Sequence, residues 1–366
     1  MLPDLCKHLC PALDCHTQVD KKMAKKKLRV VSLFSGSGGM DLGFLHTGKY
    51  DIILANDIFR EAVQTYEHNI GKHIVLDDIA NFKGLPSADI VIGGPPCQGF
   101  SLGNPNRAMD DPRNWLFKEY IRVLHEVNPS MFVMENVQGM RTLAEGKLYE
   151  FIKKELEAAG YKIKDDVLNA VDYGVPQHRR RNFIVGVRDD LKIKYRFPAP
   201  LVYPPLQGRY MTVGDALLEP PIPEDCPNHE ASKLTPLNQE RLKHIPPGGA
   251  MKDIPEHLRN NSDPKRAMRR LAFHEPSPTI VHNNCDHYYH PTELRRLTIR
   301  EMARIQTYPD SHVFFGSKSD QSVQVANSVP VKLASAVAES VYEALAQPVK
   351  HGQKAAQALE ETYQGG

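Results

Sequence analysis

Short apolar runs recur along the first half of the chain, and stretches of helical periodicity separate them. The first run, residues 28–34, is rich in β-branched residues and ends in a glycine-rich turn, after which a helical pattern begins at Met40. Brief apolar runs bounded by turns predict buried strands. Further strands are predicted at residues 52–55, 88–92, 131–134 and 183–187, and helices at residues 116–127 and 148–159. This alternation predicts an α/β fold with a doubly wound, mainly parallel sheet covered on both faces.

The pattern changes after Phe197. Residues 198–292 are rich in Pro, His, Asn and Arg and show little periodicity, which predicts a second, smaller, loop-rich domain. Helical patterns return at residues 298–306 and 331–345. We therefore expect a disordered extension at residues 1–22 and a catalytic domain at residues 23–198. A second domain follows at residues 199–292, and a return segment at residues 293–350 completes the first domain. Residues 351–366 are expected to form a frayed tail.

Composition excludes few classes of protein. The 366 residues are 41% hydrophobic and 25% charged, which is typical of a globular protein of about two domains. No run approaches the roughly 18 apolar residues of a membrane span, and the N-terminus lacks the pattern of a signal peptide. The expected location is the cytoplasm, on the nucleoid if the protein binds DNA.

Charge and cysteine content are informative only locally. The net charge is +2, but arginines cluster at residues 179–181, 266–270 and 295–300, and such clusters either grip phosphates or form ion pairs on helix faces. Three of the six cysteines lie in the first fifteen residues, without the paired Cys-x-x-Cys spacing of zinc modules. We expect no metal there, and Met23 offers a plausible start.

A glycine-rich loop, Ser35-Gly36-Ser37-Gly38-Gly39, follows the first predicted strand. Glycines allow a ligand to approach the backbone and the N-terminus of the next helix, as in nucleotide-binding sheets. Asp57 ends the next strand, where a carboxylate commonly accepts hydrogen bonds from ribose hydroxyls. Asp78 follows another short apolar run and could hold an adenine amino group. For both aspartates the alternative is a helix N-cap.

The strongest local signal is Gly93-Gly94-Pro95-Pro96-Cys97-Gln98-Gly99-Phe100-Ser101, just after a predicted buried strand. Ligands bind at that carboxyl edge of a parallel sheet, and two prolines hold the thiol rigidly. A rigid, accessible cysteine predicts a nucleophile, whereas a structural cysteine needs no such setting.

Two further segments would face the same crevice. Glu135 ends the neighbouring strand, and Gln177-His178-Arg179-Arg180-Arg181 leads into the next one. Alternation places Gln177, Arg179 and Arg181 on one side of the extended segment. A thiol, a carboxyl group and two guanidinium groups could then converge on one planar polar substrate.

With these motifs in this order, the sequence resembles the DNA cytosine-5 methyltransferase family of the bacterial restriction-modification type, over residues 28–346. The resemblance rests on the glycine loop, the Pro-Pro-Cys-Gln block, Glu135-Asn136-Val137, the Gln-x-Arg-x-Arg motif, a joining helix at residues 296–306 and Asn327-Ser328-Val329-Pro330. Two departures are small: Asp57 stands where the family often has glutamate, and Ala326 where it usually has glycine.

The resemblance implies S-adenosylmethionine as methyl donor, S-adenosylhomocysteine as product, and no metal. It implies donor contacts from Phe34, Ser35, Gly36, Ser37, Gly38, Gly39, Asp57, Ile58, Asp78, Ile79, Pro95, Asn327 and Ser328. It implies DNA contacts from Gln98, Ser101, Arg113, Gln177 and Thr279. The implied partner is double-stranded DNA, bound by a monomer, with a cognate restriction endonuclease acting separately and no membrane.

The chemistry that the resemblance implies begins with Cys97 adding to carbon 6 of a flipped-out cytosine. Glu135 would donate or share a proton at N3, Arg181 would bind the ring carbonyl oxygen, and Arg179 would help to position Glu135 and the base. Flipping costs a few kcal/mol, and residues 98–115 have the polar, turn-rich composition of a loop that closes over the extruded base.

Three other functions compete with this interpretation. A tRNA cytosine-5 methyltransferase shares the catalytic frame, but its relatives have Pro-Cys-Gln-Pro-Phe where this chain continues with Gly99 after Gln98. An inactive DNA-binding relative would be free to lose Cys97, Glu135 and Arg181. A dinucleotide oxidoreductase would explain the glycine loop alone.

Recognition of the DNA sequence is expected in residues 199–292. Candidate base or phosphate contacts there are Arg266, Arg269, Arg270, Asn283 and Asn284.

Overall fold

A seven-stranded sheet forms the centre of the computed structural model, which describes residues 26–96, 115–201, 208–259, 267–282 and 288–346. The strand order is β3-β2-β1-β4-β5-β8-β6. The strands are β1 (Leu28–Leu33), β2 (Tyr50–Asp57), β3 (Ile74–Leu76), β4 (Ile90–Gly93), β5 (Met131–Val137), β6 (Tyr161–Asn169) and β8 (Arg180–Arg188). Neighbours from β3 to β5 are parallel.

The expectation of a mainly parallel sheet is confirmed, but one end of the sheet is antiparallel. Strand β8 runs antiparallel to both of its neighbours, β5 and β6. Only the short segment 170–179 separates β6 from β8, too short for the dozen or more residues of a parallel crossover. The Gln-x-Arg-x-Arg motif lies at this turn, with Gln177 and His178 in the two-residue strand β7 (Gln177–His178).

Helices cover both faces of the sheet, as the alternation predicted. Consecutive residues of each inner strand point to opposite faces, so Val30 joins one apolar core and Val31 the other. Helices α1 (Gly39–His46), α2 (Arg60–Asn69) and α9 (Val331–Ala346) cover the first face, and α3 (Trp115–Val127) and α4 (Lys147–Ala158) cover the second.

The described parts of residues 208–292 contain little regular structure, as the composition of this segment suggested. Helices α5 (Val213–Leu218) and α6 (Pro236–Lys243) and the two-residue strands β9 (Arg269–Arg270), β10 (Ser277–Pro278) and β11 (Tyr288–Tyr289) lie here. One small core is built entirely within this segment, from Leu242, Ile245, Met251, Ile254, Ala267, Met268 and Tyr289. The domain boundaries near 198 and 292 stay a prediction that this separate core supports.

The return segment packs between the two regions. Helices α7 (Ile299–Ile305) and α8 (Lys318–Asn327) share a core with Val213, Leu217 and Ile280 of the loop-rich region and with Leu42 of α1. This segment therefore joins the sheet to the loop-rich region. No helix in the described ranges combines the length and the apolar character needed to cross a membrane.

Candidate active site

A cavity of about 560 Å³ opens at the carboxyl edge of the parallel strands. Its walls come from the ends of β1, β2, β4 and β5 and from the junction between α8 and α9. It is lined by every predicted donor-binding residue except one, namely Phe34, Ser35, Gly36, Ser37, Gly39, Asp57, Ile58, Asp78, Ile79, Pro95, Asn327 and Ser328. Residues from five separate stretches of the sequence thus meet around one space of the size that a nucleotide-like ligand occupies.

Gly38 is the exception, and its predicted contact with the donor is not supported. It precedes α1 with a φ of 84°, a left-handed conformation that favours glycine. A Cβ atom there would lie 2.2 Å from Ile70 Cδ1. Gly38 is therefore required for the turn into α1 and for close packing against the end of α2, while its neighbours line the cavity.

Asp57 ties the glycine loop to the end of β2. Its Oδ2 accepts a hydrogen bond of 2.7 Å from the Gly36 amide, and its Oδ1 accepts one of 2.8 Å from the Phe59 amide. Burial raises the pKa of this carboxyl group, and the two amides lower it. Asp57 thus shapes the loop, and its contact with a ribose stays a prediction.

Asp78 has the N-cap role that the sequence left open. Its Oδ1 accepts a hydrogen bond of 3.0 Å from the Ala80 amide and so caps the short 3-10 helix Ile79–Asn81. Asp78 also lines the cavity.

Tyr308, in the return segment, supports the glycine loop, a role that no sequence pattern predicted. Its hydroxyl lies 2.9 Å from Ser37 Oγ, and burial raises its pKa to about 12. The same hydroxyl would lie 2.7 Å from a Cβ atom at position 39, so only glycine fits there without a shift of its neighbours. The loop is held between β1 and a residue about 270 positions away in the sequence.

Asp41 is a second residue that sequence reasoning missed. It lies in the first turn of α1, is fully buried and contributes to the cavity wall. Its Oδ1 accepts a hydrogen bond of 2.9 Å from the Tyr66 hydroxyl, while its Oδ2 has no hydrogen-bond partner among the described residues. Burial raises the pKa of Asp41 to about 6, against the lowering effect of the Ser32 and Tyr66 hydroxyls.

Glu135 and Arg181 lie together at the far end of the cavity. Glu135 Oε1 is 2.9 Å from Arg181 Nε, and both side chains are almost completely buried. The pair lacks the alignment of a hydrogen bond, so attraction between the charges dominates. Burial raises the pKa of Glu135, and the charges of Arg181 and Arg179 lower it. A carboxyl group balanced in this way can hold a proton or release one.

Arg179 does not line the cavity, contrary to the expectation that it helps to position the base. Its side chain is fully buried and donates to three backbone carbonyls, those of Ile280, Ala326 and Ser328. These carbonyls belong to the loop-rich region and the return segment. Arg179 therefore fastens three parts of the chain together, and it acts on Glu135 only through its charge.

Gln177 is also buried, and its predicted contact with DNA stays a prediction. Its Oε1 accepts a hydrogen bond of 2.9 Å from the Ile280 amide. Thr279, another predicted DNA contact in this area, is partly exposed and donates its hydroxyl to the His178 carbonyl at 2.7 Å. The predicted alternation is confirmed, since residues 177, 179 and 181 face inwards and 178 and 180 outwards.

The segment leading to the predicted nucleophile is anchored by Asn136. Its Nδ2 donates a hydrogen bond of 2.8 Å to the Pro95 carbonyl, which holds the end of β5 against the Pro-Pro turn. A Cβ atom at Gly94 would lie 3.1 Å from Glu135 Oε2, so glycine leaves room for that carboxylate. Cys97, Gln98, Ser101 and Arg113 lie outside the described residues, and their predicted roles rest on the sequence.

Comparison with known proteins assigns the chain to a family. The model of the C-5 cytosine-specific DNA methylase family matches residues 28–343. The chain belongs to this family. This C-5 methylase is 39% identical over 331 residues to the type II methyltransferase M1.HphI of Haemophilus parahaemolyticus, with 86% of each chain covered. It is 35% identical to the type II methyltransferase M.NgoFVII of Neisseria gonorrhoeae, with 87% of each chain covered.

Solved structures agree with this assignment. A DNA modification methyltransferase encoded within a prophage of Escherichia coli has a TM-score of 0.69 and 26% identity, covering 87% of this chain and 99% of its own. The Dnmt2 methyltransferase of S. pombe, at 21% identity and a TM-score of 0.57, shares the fold. The methylase is thus a cytosine-5 DNA methyltransferase of the type found in restriction-modification systems.

Several of the clustered arginines in this methylase bind protein groups, which favours the structural alternative over phosphate contact for those residues. Arg300 is fully buried and donates to the carbonyls of Pro227, Pro309 and His312. Arg295 pairs with Glu301 and Glu293. Arg270, a candidate base contact, donates to the carbonyls of Ile245 and His290. Arg269 is partly exposed, and Arg266, Asn283 and Asn284 lie outside the described residues.

No cluster of three or more potential metal ligands occurs in the described part of the methylase. The cysteine-rich residues at the N-terminus lie outside that part.

Proposed function

We propose that this methylase transfers the methyl group of S-adenosylmethionine to carbon 5 of a cytosine turned out of duplex DNA, through a covalent bond between Cys97 and carbon 6. One observation carries the proposal. A single cavity extends from the glycine loop to Pro96, the residue before Cys97, and to the Glu135–Arg181 pair. A donor at one end and a base at the other would therefore face each other without an intervening wall.

The residues around the cavity fit the donor. The glycine loop offers bare backbone at Gly36 and Gly39, Ile58 exposes an apolar side chain at the rim, and carboxylates line the same wall. An apolar platform suits the adenine ring, and carboxylates suit hydroxyl groups and cations. Asn327 and Ser328 would close the opposite side. The donor supplies an electrophilic methyl group, and the protein supplies orientation and exclusion of water.

Cys97 and Glu135 have complementary tasks in this proposal. Carbon 5 of cytosine is a poor nucleophile until a thiolate adds to carbon 6. Glu135 shares a proton at N3 as that bond forms, so that negative charge does not build up on the ring. Arg181 donates to the ring carbonyl oxygen while it holds Glu135. After methylation, loss of the carbon-5 proton returns electrons to the ring and expels the Cys97 thiolate.

The nucleophile can be tested by trapping. Duplex DNA carrying 5-fluorocytosine cannot lose a proton from carbon 5, so the parent protein and donor should form a covalent complex that survives denaturing electrophoresis. Cys97→Ala should form none, and Cys226→Ala is a matched control because Cys226 packs against Asp310 in the return segment. Trapping by the Cys97→Ala protein would refute the assignment.

The substrate and its sequence can be tested in cells. Bisulfite sequencing of DNA from cells that express the parent should show methylated cytosines in one short sequence context, and Cys97→Ala should show none. Purified tRNA offered in place of DNA should accept no methyl group. Methylated tRNA together with unmethylated DNA would favour the tRNA alternative.

We also propose that residues 199–292 choose the sequence and that the rest performs the chemistry. The core confined to this segment supports an exchangeable unit. Exchanging it with the same segment of a relative of different specificity should change the methylated sequence. An active chimera that methylates the parent's sequence would show that specificity lies elsewhere. We further propose that the methylase binds DNA as a monomer, and that a cognate restriction endonuclease recognises the same sequence and acts separately.

A further inference from the structure

A second concave surface adjoins the cavity. This phosphate groove, as we name it, has a volume of about 480 Å³ and is lined by Gln138, Asn169, His178, Arg180, Arg181 and Thr279. Arg181 lines both the groove and the cavity. The two sites are therefore neighbours that share the residue Arg181. Every described residue that lines the groove is polar, and none of these is acidic.

The lining of the groove includes His178 and Arg180, which occupy the two x positions of the Gln-x-Arg-x-Arg motif. Backbone alternation turns Gln177 and Arg179 inwards, where they bind carbonyl and amide groups of other segments. The same alternation turns His178 and Arg180 outwards, and both are exposed. Of three consecutive arginines, Arg179 is buried, Arg181 is paired with Glu135, and only Arg180 faces the solvent.

Arg180 has no protein partner for its charge within the described residues. Its guanidinium group makes no hydrogen bond or ion pair there, whereas Arg122, Arg188, Arg209 and Arg295 each pair with a carboxylate. The His178 imidazole likewise makes no hydrogen bond in the described ranges, and its ring meets only the edge of Tyr210. Two unpaired donors in a groove without carboxylates suit an anionic ligand that arrives from outside.

We propose that this groove binds a backbone phosphate beside the target cytosine, with Arg180 as its anchor. The inference rests on the proposed function, because the base must lie at Glu135 and Arg181. A cytosine and its flanking phosphate are joined through one sugar, so a base held beside Arg181 in the cavity brings a phosphate close to the adjoining groove. Among the described residues that line the groove, His178 has the only aromatic ring, so these residues offer little platform on which a base would stack.

Arg180 acts in this proposal as a positioning residue. It holds the strand while the base leaves the stack, and the contact offsets part of the free energy that flipping costs. It touches no reacting atom. Its loss should therefore weaken productive binding of DNA and change its dependence on salt, while the chemical step and the affinity for the donor stay as they are.

The test compares Arg180→Ala, Arg180→Lys and Arg196→Ala with the parent. Arg196 is an exposed arginine beyond the opposite end of β8 and is a matched control. Methyl transfer to unmethylated phage DNA of mixed sequence is measured as kcat and KM at NaCl concentrations from about 50 to 200 mM. Binding of S-adenosylmethionine is measured by calorimetry.

We expect Arg180→Ala to raise the KM for DNA on the order of tenfold at low salt and to reduce the slope of log(kcat/KM) against log[NaCl] by about 0.9, the loss of one phosphate contact. The kcat at saturating DNA and the donor Kd should match the parent. Arg180→Lys should restore the slope but only part of the affinity, because an ammonium group cannot grip a phosphate in a bidentate manner. Arg196→Ala should behave as the parent.

If the KM for DNA and the salt slope of Arg180→Ala equal those of the parent, the inference is wrong. Failure of the parent to methylate any DNA would overturn the proposed function instead. In that case the same variants are titrated with a fluorescein-labelled duplex, and the salt dependence of the dissociation constant is measured. An unchanged salt dependence in Arg180→Ala would show that Arg180 does not bind a phosphate in the groove.

Discussion

Arg181 Nε lies 2.9 Å from Glu135 Oε1 across the antiparallel pairing of β5 and β8. Phe183 is directly opposite Glu135, and Arg181 is opposite Val137, so the two charged side chains meet diagonally on one face of the sheet. This contact exists because β8 runs antiparallel. The reversed strand brings the start of the arginine motif to the edge at which the parallel strands end.

The first prediction concerns the proton on Glu135. Glu135→Gln keeps the size of the side chain and removes the titrating group, so kcat should fall by roughly 10²–10⁴-fold. Because burial raises the pKa of Glu135, its protonated form persists to a higher pH than in an exposed glutamate, and parental kcat should fall as pH rises through that pKa. The variant should lose this limb of the pH–rate profile. A profile of unchanged shape would argue against Glu135 as the proton donor.

The second prediction separates structural from catalytic arginines. Arg179→Met leaves three buried carbonyls without donors and should lower the free energy of unfolding by about 3 kcal/mol or more. Arg300→Met is the matched control, because Arg300 also donates to three carbonyls. Urea unfolding should show similar losses for both. A stable Arg179→Met protein with no activity would instead mean that Arg179 acts on the substrate.

The third prediction tests the brace on the glycine loop. Tyr308→Phe removes the hydroxyl group that meets Ser37, and Tyr195→Phe removes an equally buried hydroxyl that meets Ser340 at 3.0 Å, away from the cavity. Each should cost about 1 kcal/mol of stability. Only Tyr308→Phe should weaken binding of S-adenosylmethionine in calorimetry. Equal donor affinities in the two variants would show that the loop holds its shape without Tyr308.

The fourth prediction concerns Asp41 and pH. Its pKa rises from 3.8 to about 6 on folding, so the folded chain holds this proton more tightly than the unfolded chain does. Its contribution to stability is complete below pH 3.8 and is lost as pH rises through about 6, an effect of about 3 kcal/mol. The difference in unfolding free energy between Asp41→Asn and the parent should therefore grow over this range and then level off.

Comparing the two proteins isolates Asp41, since Asp57 and the other groups nearby are present in both. Urea titrations at intervals between pH 4 and pH 7 measure the difference. A difference that does not change with pH would show that the Asp41 carboxyl group has its ordinary pKa when folded.

The sequence predicted the parts of the fold that have a continuous apolar signal. Buried strands β1, β4 and β5 were recognisable because both of their faces are covered. Strand β6 was missed because it lies at the edge of the sheet and alternates Lys162 and Lys164 with inward residues. The direction of β8 leaves no trace in an apolar run, so the antiparallel end of the sheet was not predicted.

For the site, motifs predicted which residues line the cavity but not what their side chains contact. Gln177 and Arg179 match the family motif, yet both are bound to backbone groups about a hundred or more residues away. A guanidinium group that meets a carbonyl and one that meets a phosphate look the same in a sequence. Tyr308 and Asp41 were missed for a related reason, because their partners are brought to them only by the fold.

The cavity takes one wall from residues 34–39 and the opposite wall from residues 327–329. During synthesis, the first wall leaves the ribosome long before the second has been made. A growing polypeptide therefore has only half a site until nearly all of its chain is available. Premature termination or proteolysis before Asn327 leaves a fragment in the same state. On the proposed function, such incomplete copies lack one wall of the donor site, and we expect them to transfer no methyl group to DNA.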